Sequence, residues 1–282
     1  MSNLTQRLKL KTMNLIRFIL FKYLHHYGWP RRLLNRMYDY DRHYNNTDLL
    51  INIGAGSYFE RKGWLSADYL PGYKADTGKQ HLDLNDALIN MPFNEVQAYY
   101  MSHVLEHFRF EDGAKLLKSI YRSMKAGGTL RIVVPDADLI LNRAKENDIE
   151  FFSPILSFFK NDDKSKITCS DHALNLLSQP RCRYSNNSEV KADVENFKDR
   201  LVSNSNNDTI KYLNDNNFVQ NDRGSLHLAA YNENNLISSL KNAGFKVCYK
   251  SAFMQSKFSK MREVPIFDST HPWLSLYVEA VK

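Results

Sequence analysis

Several groups of residues in this chain have the types and spacing to do chemistry. Leu50-Ile51-Asn52-Ile53-Gly54-Ala55-Gly56 is an apolar run ending in two glycines. A side chain at such a turn would keep the backbone away from a bound group, so this pattern marks a place where main chain and ligand meet. Asp68 and Asp83 each close, or nearly close, a later short apolar segment. A carboxylate in the first position can accept from both hydroxyls of a ribose, and one in the second can accept from an adenine amino group. Either aspartate alone is more often a turn or helix-cap residue. On consecutive segment ends, the three features point to an adenosine-bearing cofactor. Ser102 and His103 end a fourth apolar segment, and Glu106 and His107 follow at once. A histidine here can act as a general base, because imidazole titrates in the useful range. His103, Glu106 and His107 also have the three- and four-residue spacing that shares one side of a helical turn, a spacing that suits a divalent metal.

These residues need elements to hold them. Leu49–Ile53, Trp64–Ala67, His81–Leu84, Ala98–Ser102 and Thr129–Val134 read as short strands, with a helix over Glu111–Met124. Such alternation predicts an α/β fold, a Rossmann-like sheet with helices on both faces and its ligands beyond the carboxyl ends of the strands. A helix over Asn232–Asn242, closed by Ala243-Gly244, precedes two further strand candidates, Phe245–Ser251 and Trp273–Val281. They would complete a seven-stranded sheet with its last strand antiparallel. Between Asp136 and that helix the chain turns polar and rich in asparagine, most of all over 161–221. An insertion of about 140–228 is too long for a plain connection, and it reads either as a helical cap over the site or as a partly disordered segment. Phe151, Phe152, Ile155 and Leu156 favour packing at its beginning. Asp136 reads either as an acceptor-side residue or as a helix start. His227, Tyr231, His271 and the Arg181 and Arg183 pair are further candidates to reach an acceptor from the late segments.

The motifs Asn52-Ile53-Gly54-Ala55-Gly56, Gly63-Trp64-Leu65-Ser66-Ala67-Asp68, Asp83-Leu84, Met91-Pro92-Phe93, Ser102-His103-Val104-Leu105-Glu106-His107-Phe108, Met124-Lys125-Ala126-Gly127-Gly128 and Val134-Pro135-Asp136 resemble one family. It is the class I S-adenosylmethionine (SAM)-dependent methyltransferases, in particular the small enzymes of polysaccharide and lipopolysaccharide gene clusters. The resemblance implies SAM as cofactor, with Gly54 and Gly56 against its methionine and ribose. It also implies Asp68 on the ribose hydroxyls, Asp83 and Leu84 flanking the adenine, and Ser102 and His103 lining the cofactor floor. Asn52 stands where many members have a carboxylate, which reduces a salt bridge to an amide hydrogen bond. The interval from Gly56 to Asp68 is also short, leaving a turn or two of helix at most. His103 and His107 are the expected catalytic residues. Methyltransferases of the ubiquinone pathway look similar here but carry a carboxylate in the place of His103, and no metal is assigned to the site.

Composition narrows the partners. The chain has 282 residues, 43% of them hydrophobic, enough for one sizeable domain with additions. Three cysteines without metal-type spacing fit a reducing cytoplasm. The formal charge of +7 sits in residues 1–45, where nine basic side chains face two acidic ones. A nucleic-acid enzyme would spread that charge around its cleft, so nucleic acid is not the expected partner. Met13, Ile16, Leu20, Leu24 and Tyr27 share one helical face, making residues 4–27 a basic amphipathic helix within an extension over 1–47. It can pack on the protein's own domain, meet a partner, or lie on an anionic membrane, which would make the protein peripheral at the inner face. The expected function is O-methylation of a sugar or glycan acceptor. A membrane-associated lipid or quinone acceptor is one alternative, and a non-catalytic scaffold of the same fold is another.

Overall fold

The computed structural model describes residues 48–56, 59, 61, 63–68, 81–83, 94–158, 167–179, 194–216, 226–263 and 266–282. The extension over 1–47, Leu84, and Arg181 and Arg183 lie outside the described residues. Seven strands form one sheet in the order β3-β2-β1-β4-β5-β7-β6. They are β1 (Leu49–Ile53), β2 (Trp64–Asp68), β3 (His81–Asp83), β4 (Val96–Ser102), β5 (Met124–Pro135), β6 (Val247–Lys250) and β7 (Ser275–Val281). β1 to β5 pair in parallel, and β7 runs antiparallel between β5 and β6.

The two-residue period of the strands sorts their side chains onto two faces. Ile51, Ile53, Tyr99, Met101, Leu130, Ile132, Leu276 and Val278 are buried in one core. Helices α1 (Phe110–Ser123) and α7 (Glu233–Ala243) cover it, contributing Leu116, Leu117, Ile120, Leu236 and Leu240. Leu50, Trp64, Ala98, Tyr100, Val133 and Tyr277 face the other way. Helices were expected on both faces. Among the described residues the second face is covered by 252–263 and 266–274, with Met261, Ile266 and Phe267 inserted and a 3-10 turn at Ser259–Met261, while 69–80 and 84–93 between the strands lie outside the described residues. Asn52, Ser102 and Asp68 have the same strand parity as this second face, which sets the side on which a ligand would lie.

Beyond Asp136 the described part of the insertion is helical: α2 (Ala137–Lys145), α3 (Ile149–Phe152), α4 (Cys169–Leu177), α5 (Val194–Ser203) and α6 (Asn206–Asp215). These helices have a core of their own, with Ile140, Phe152, Leu174, Phe197 and Ile210, which reaches Ala230 and Leu274 at the carboxyl edge of the sheet. The asparagines act as backbone substitutes. Asn214 accepts from Ala230 N at 2.8 Å and donates to Ala230 O at 3.0 Å, as a neighbouring strand would. Asn206 donates to Asn142 Oδ1 at 2.9 Å. At Asn214 the side-chain amide satisfies main chain, and at Asn206 it ties two helices together. Among the described residues no helix is long and apolar enough to cross a membrane.

Candidate functional site

A cavity lies at the carboxyl edge of β1 and β4, lined by Asn52, Gly54, Ala55, Gly56, Phe59, Tyr100, Ser102, Ile266, Ser269 and Thr270. The two glycines are required for different reasons. Gly54 has φ +67°, and a Cβ there would lie 2.0 Å from Val104 Cγ2, so both its conformation and its packing demand glycine. Gly56 has φ +62° and would meet nothing within 4 Å, so its Cα faces open space. Gly56 N donates to Asp68 Oδ2 at 2.7 Å. Asp68 therefore braces the glycine turn as well as standing at the end of β2. In the register of the sheet it is opposite Asp83 of β3.

Asn52 is buried in the cavity wall. Ser102 Oγ is buried in the same wall, close enough to the Tyr100 hydroxyl to offset part of the rise that burial gives its pKa, but with no hydrogen bond of ordinary geometry among the described residues. A buried hydroxyl in that position is available to a ligand.

The roof over the cavity is held by an ion-pair network that sequence reasoning missed. Arg131 of β5, fully buried, donates to both oxygens of Asp268, Nε to Oδ1 at 2.9 Å and Nη2 to Oδ2 at 2.6 Å. Its Nη1 donates to Glu279 Oε1 at 2.9 Å and to Ser251 Oγ at 3.1 Å, and Nη2 also donates to Ala252 O at 2.8 Å. Tyr249 donates to Glu279 Oε2 at 2.7 Å, and Asp268 N donates to the Tyr100 hydroxyl at 2.6 Å. Burial opposes a charged guanidinium here, but Asp268 and Glu279 outweigh it and raise the Arg131 pKa. Arg61 adds a second tie to the roof, 2.7 Å from Glu263. The only local signal was one arginine inside the apolar run Leu130–Val134.

His103 lies beside Ser102 but not in the cavity wall. Its φ of +53° is in the left-handed region. The ring is held by Ser275 Oγ, 2.9 Å from Nε2, and by Glu106 Oε1, 3.1 Å from Nδ1. His271 packs edge-on against it at 5.5 Å. Burial alone would raise the Glu106 carboxyl, yet the hydrogen-bonding and charge of His103, with His227 and His107 beyond it, hold it below the ordinary carboxylate range.

His107 points another way. Its Nδ1 is 3.1 Å from Leu226 O, and its ring meets that of His227 at 4.7 Å. His227 Nδ1 is in turn 2.6 Å from Leu176 O, and burial pushes its pKa down to about 4. The 3-10 turn Leu105–His107 is crossed by the chain at the end of the insertion: Leu228 N and Ala229 N both donate to Glu106 O, at 2.6 and 3.1 Å. Asp136 caps α2, accepting from Leu139 N at 3.2 Å, which is the helix-start reading. Tyr231 is buried and stacks on Phe110.

No family model and no curated protein matches the chain. Solved structures do match it. A SAM-dependent methyltransferase from Archaeoglobus fulgidus is 13% identical with a TM-score of 0.43, over 89% of this chain and 94% of that one. One from Mesorhizobium loti is 13% identical with a TM-score of 0.40, over 90% and 97%. A candidate O-methyltransferase from Nostoc punctiforme is 12% identical with a TM-score of 0.40, over 90% of this chain, which spans just 56% of that protein's length.

Proposed function

We propose that this chain is a SAM-dependent methyltransferase acting on a hydroxyl of a small acceptor. The observation that supports it best is the glycine turn at Gly54–Gly56, open at Gly56 and braced by Asp68, beside a cavity walled by Asn52 and Ser102. These residues fit an adenosine-bearing cofactor: the Gly56 Cα leaves room for close approach, and Ser102 Oγ has hydrogen-bonding capacity to offer. Asp68 is the ribose acceptor in this reading, Asp83 and Leu84 flank the adenine, and Asn52 takes the methionine end through its amide.

When bound, SAM supplies an electrophilic methyl group on a sulfonium. Methyl transfer is a displacement, so holding the acceptor oxygen in line does much of the catalysis. His103 takes the hydroxyl proton at Nε2, in exchange for its contact with Ser275 Oγ, and Glu106 beside its Nδ1 stabilises the resulting imidazolium. The finer reading is a sugar or glycan acceptor in surface polysaccharide assembly, with the basic extension over 4–27 resting on an anionic membrane surface. It draws on the resemblance of the motifs and on the charge of the extension.

The test is formation of S-adenosylhomocysteine (SAH) in the presence of nucleotide sugars, glycan lipids or a quinol, with His103→Gln alongside. The expected result is turnover with a sugar acceptor that falls about 10²–10⁴-fold in the variant while SAM affinity is kept. Turnover with the quinol alone would move the acceptor to the membrane. No turnover with any acceptor, from a protein that binds SAM, would favour the scaffold reading.

A further inference from the structure

We infer that Glu106, His107 and His227 form a binding site for one divalent transition-metal cation of the zinc type. A ligand atom from each of the three lies within 4.8 Å of those from the other two. The spacing of His103, Glu106 and His107 in the chain resembles a metal set, but the fold replaces His103 with His227, which lies 120 residues beyond His107. The assignment does not depend on the methyl-transfer reading.

Three features support it. The first is the tautomer of the two imidazoles. His107 Nδ1 faces Leu226 O at 3.1 Å and His227 Nδ1 faces Leu176 O at 2.6 Å. A carbonyl oxygen only accepts, so Nδ1 carries a proton in each ring. This is the orienting arrangement that metal-binding histidines have. The second is Glu106. It is 1% exposed, with His103 Nδ1 beside Oε1 and no hydrogen-bond partner for Oε2 among the described residues. His103 Nδ1 lies 3.1 Å from Oε1, which leaves the demand of Oε2 unmet. A cation would satisfy the remaining oxygen of this buried carboxylate.

The third is the ligand chemistry. Two imidazoles and one carboxylate suit zinc and its first-row neighbours. Three protein ligands leave a fourth tetrahedral position for a water or an acceptor oxygen. Such an ion would also staple the end of the insertion, through His227, to the turn after β4. Glu106 would then join the ion to His103 through its two oxygens.

The full chain is dialysed against a chelator and titrated with Zn²⁺ by calorimetry and with Co²⁺ by visible absorption. The wild type is expected to take up one equivalent and to give the intense bands of tetrahedral Co²⁺. His227→Ala and His107→Ala are expected to lose affinity by at least the roughly 100-fold that tops the range for outer-shell partners. His271→Ala lies outside the set and is expected to leave stoichiometry and affinity unchanged. His227→Gln keeps the bulk of the side chain, and far-UV circular dichroism shows which variants fold. Where neither His227 variant folds, the wild-type Co²⁺ spectrum decides, and weak octahedral absorption overturns the site. So does a folded wild type that takes up no equivalent at micromolar metal, or a His227 variant that binds as tightly as wild type.

Discussion

Arg131 and Asp268 are joined by two parallel hydrogen bonds, at 2.9 and 2.6 Å, although 137 residues separate them in the chain. The pair fastens the segment carrying Ile266, Ser269 and Thr270 over the cavity, so a strand residue outside the cavity lining controls the shape of the site. Arg131→Met would leave Asp268 and Glu279 buried without their cation. The expected loss is about 3–5 kcal/mol in urea unfolding, the range for a buried pair broken on one side. A loss under about 1 kcal/mol would mean that the roof is held mainly by its apolar contacts.

The two glycines of the turn separate under substitution. Gly54→Ala puts a methyl group onto Val104 in a left-handed conformation and is expected to cost about 2–4 kcal/mol. Gly56→Ala meets open space and is expected to cost about 1–2 kcal/mol through conformation alone, while blocking the approach of a ligand. Adding Val104→Ala to Gly54→Ala should show a favourable coupling on the order of 1 kcal/mol. Strict additivity would contradict the packing account.

Alkaline pH is expected to unfold the protein through its buried tyrosines. Burial raises the Tyr99 phenol from about 10 to about 12, with the Ser123 hydrogen bond only partly opposing it, and burial drives Tyr100 and Tyr231 higher still. The folded state therefore holds more protons than the unfolded state once the pH passes 10. The stabilisation is complete below pH 10 and is lost as pH rises toward the folded values, by up to about 1.4 kcal/mol per pH unit for each tyrosine. Thermal midpoints between pH 8 and 11 should fall above pH 10, and the tyrosinate absorbance should appear together with unfolding. A midpoint that stays flat across that range would contradict this.

Much of the sheet was legible because strand period and glycine turns are local signals. Leu50–Gly56 and the stretch ending at Asp68 lie in β1 and β2 and in the turn after β1, and their parity places Asn52 and Asp68 on one face. The histidines were less legible, because reading His103, Glu106 and His107 together assumed a helix. The chain instead makes one 3-10 turn at Leu105–His107, with His103 outside it in the left-handed region. His227, Ser275 and Asp268 reach their partners from more than 100 residues away, and no periodicity records such meetings. The asparagines over 161–221 looked like a mark of disorder or of a cap. Asn214 shows that a side-chain amide can serve the main chain of a buried residue, a use that composition cannot tell from solvation.

The measurement that bears most directly on the cofactor site is a calorimetric titration of the full chain with SAM and with SAH, beside Asp68→Ala and a folded-state check by circular dichroism. Saturable one-to-one binding by the wild type, lost in the variant, is the expected result. A folded wild type that binds neither compound at millimolar concentration would contradict the methyltransferase reading.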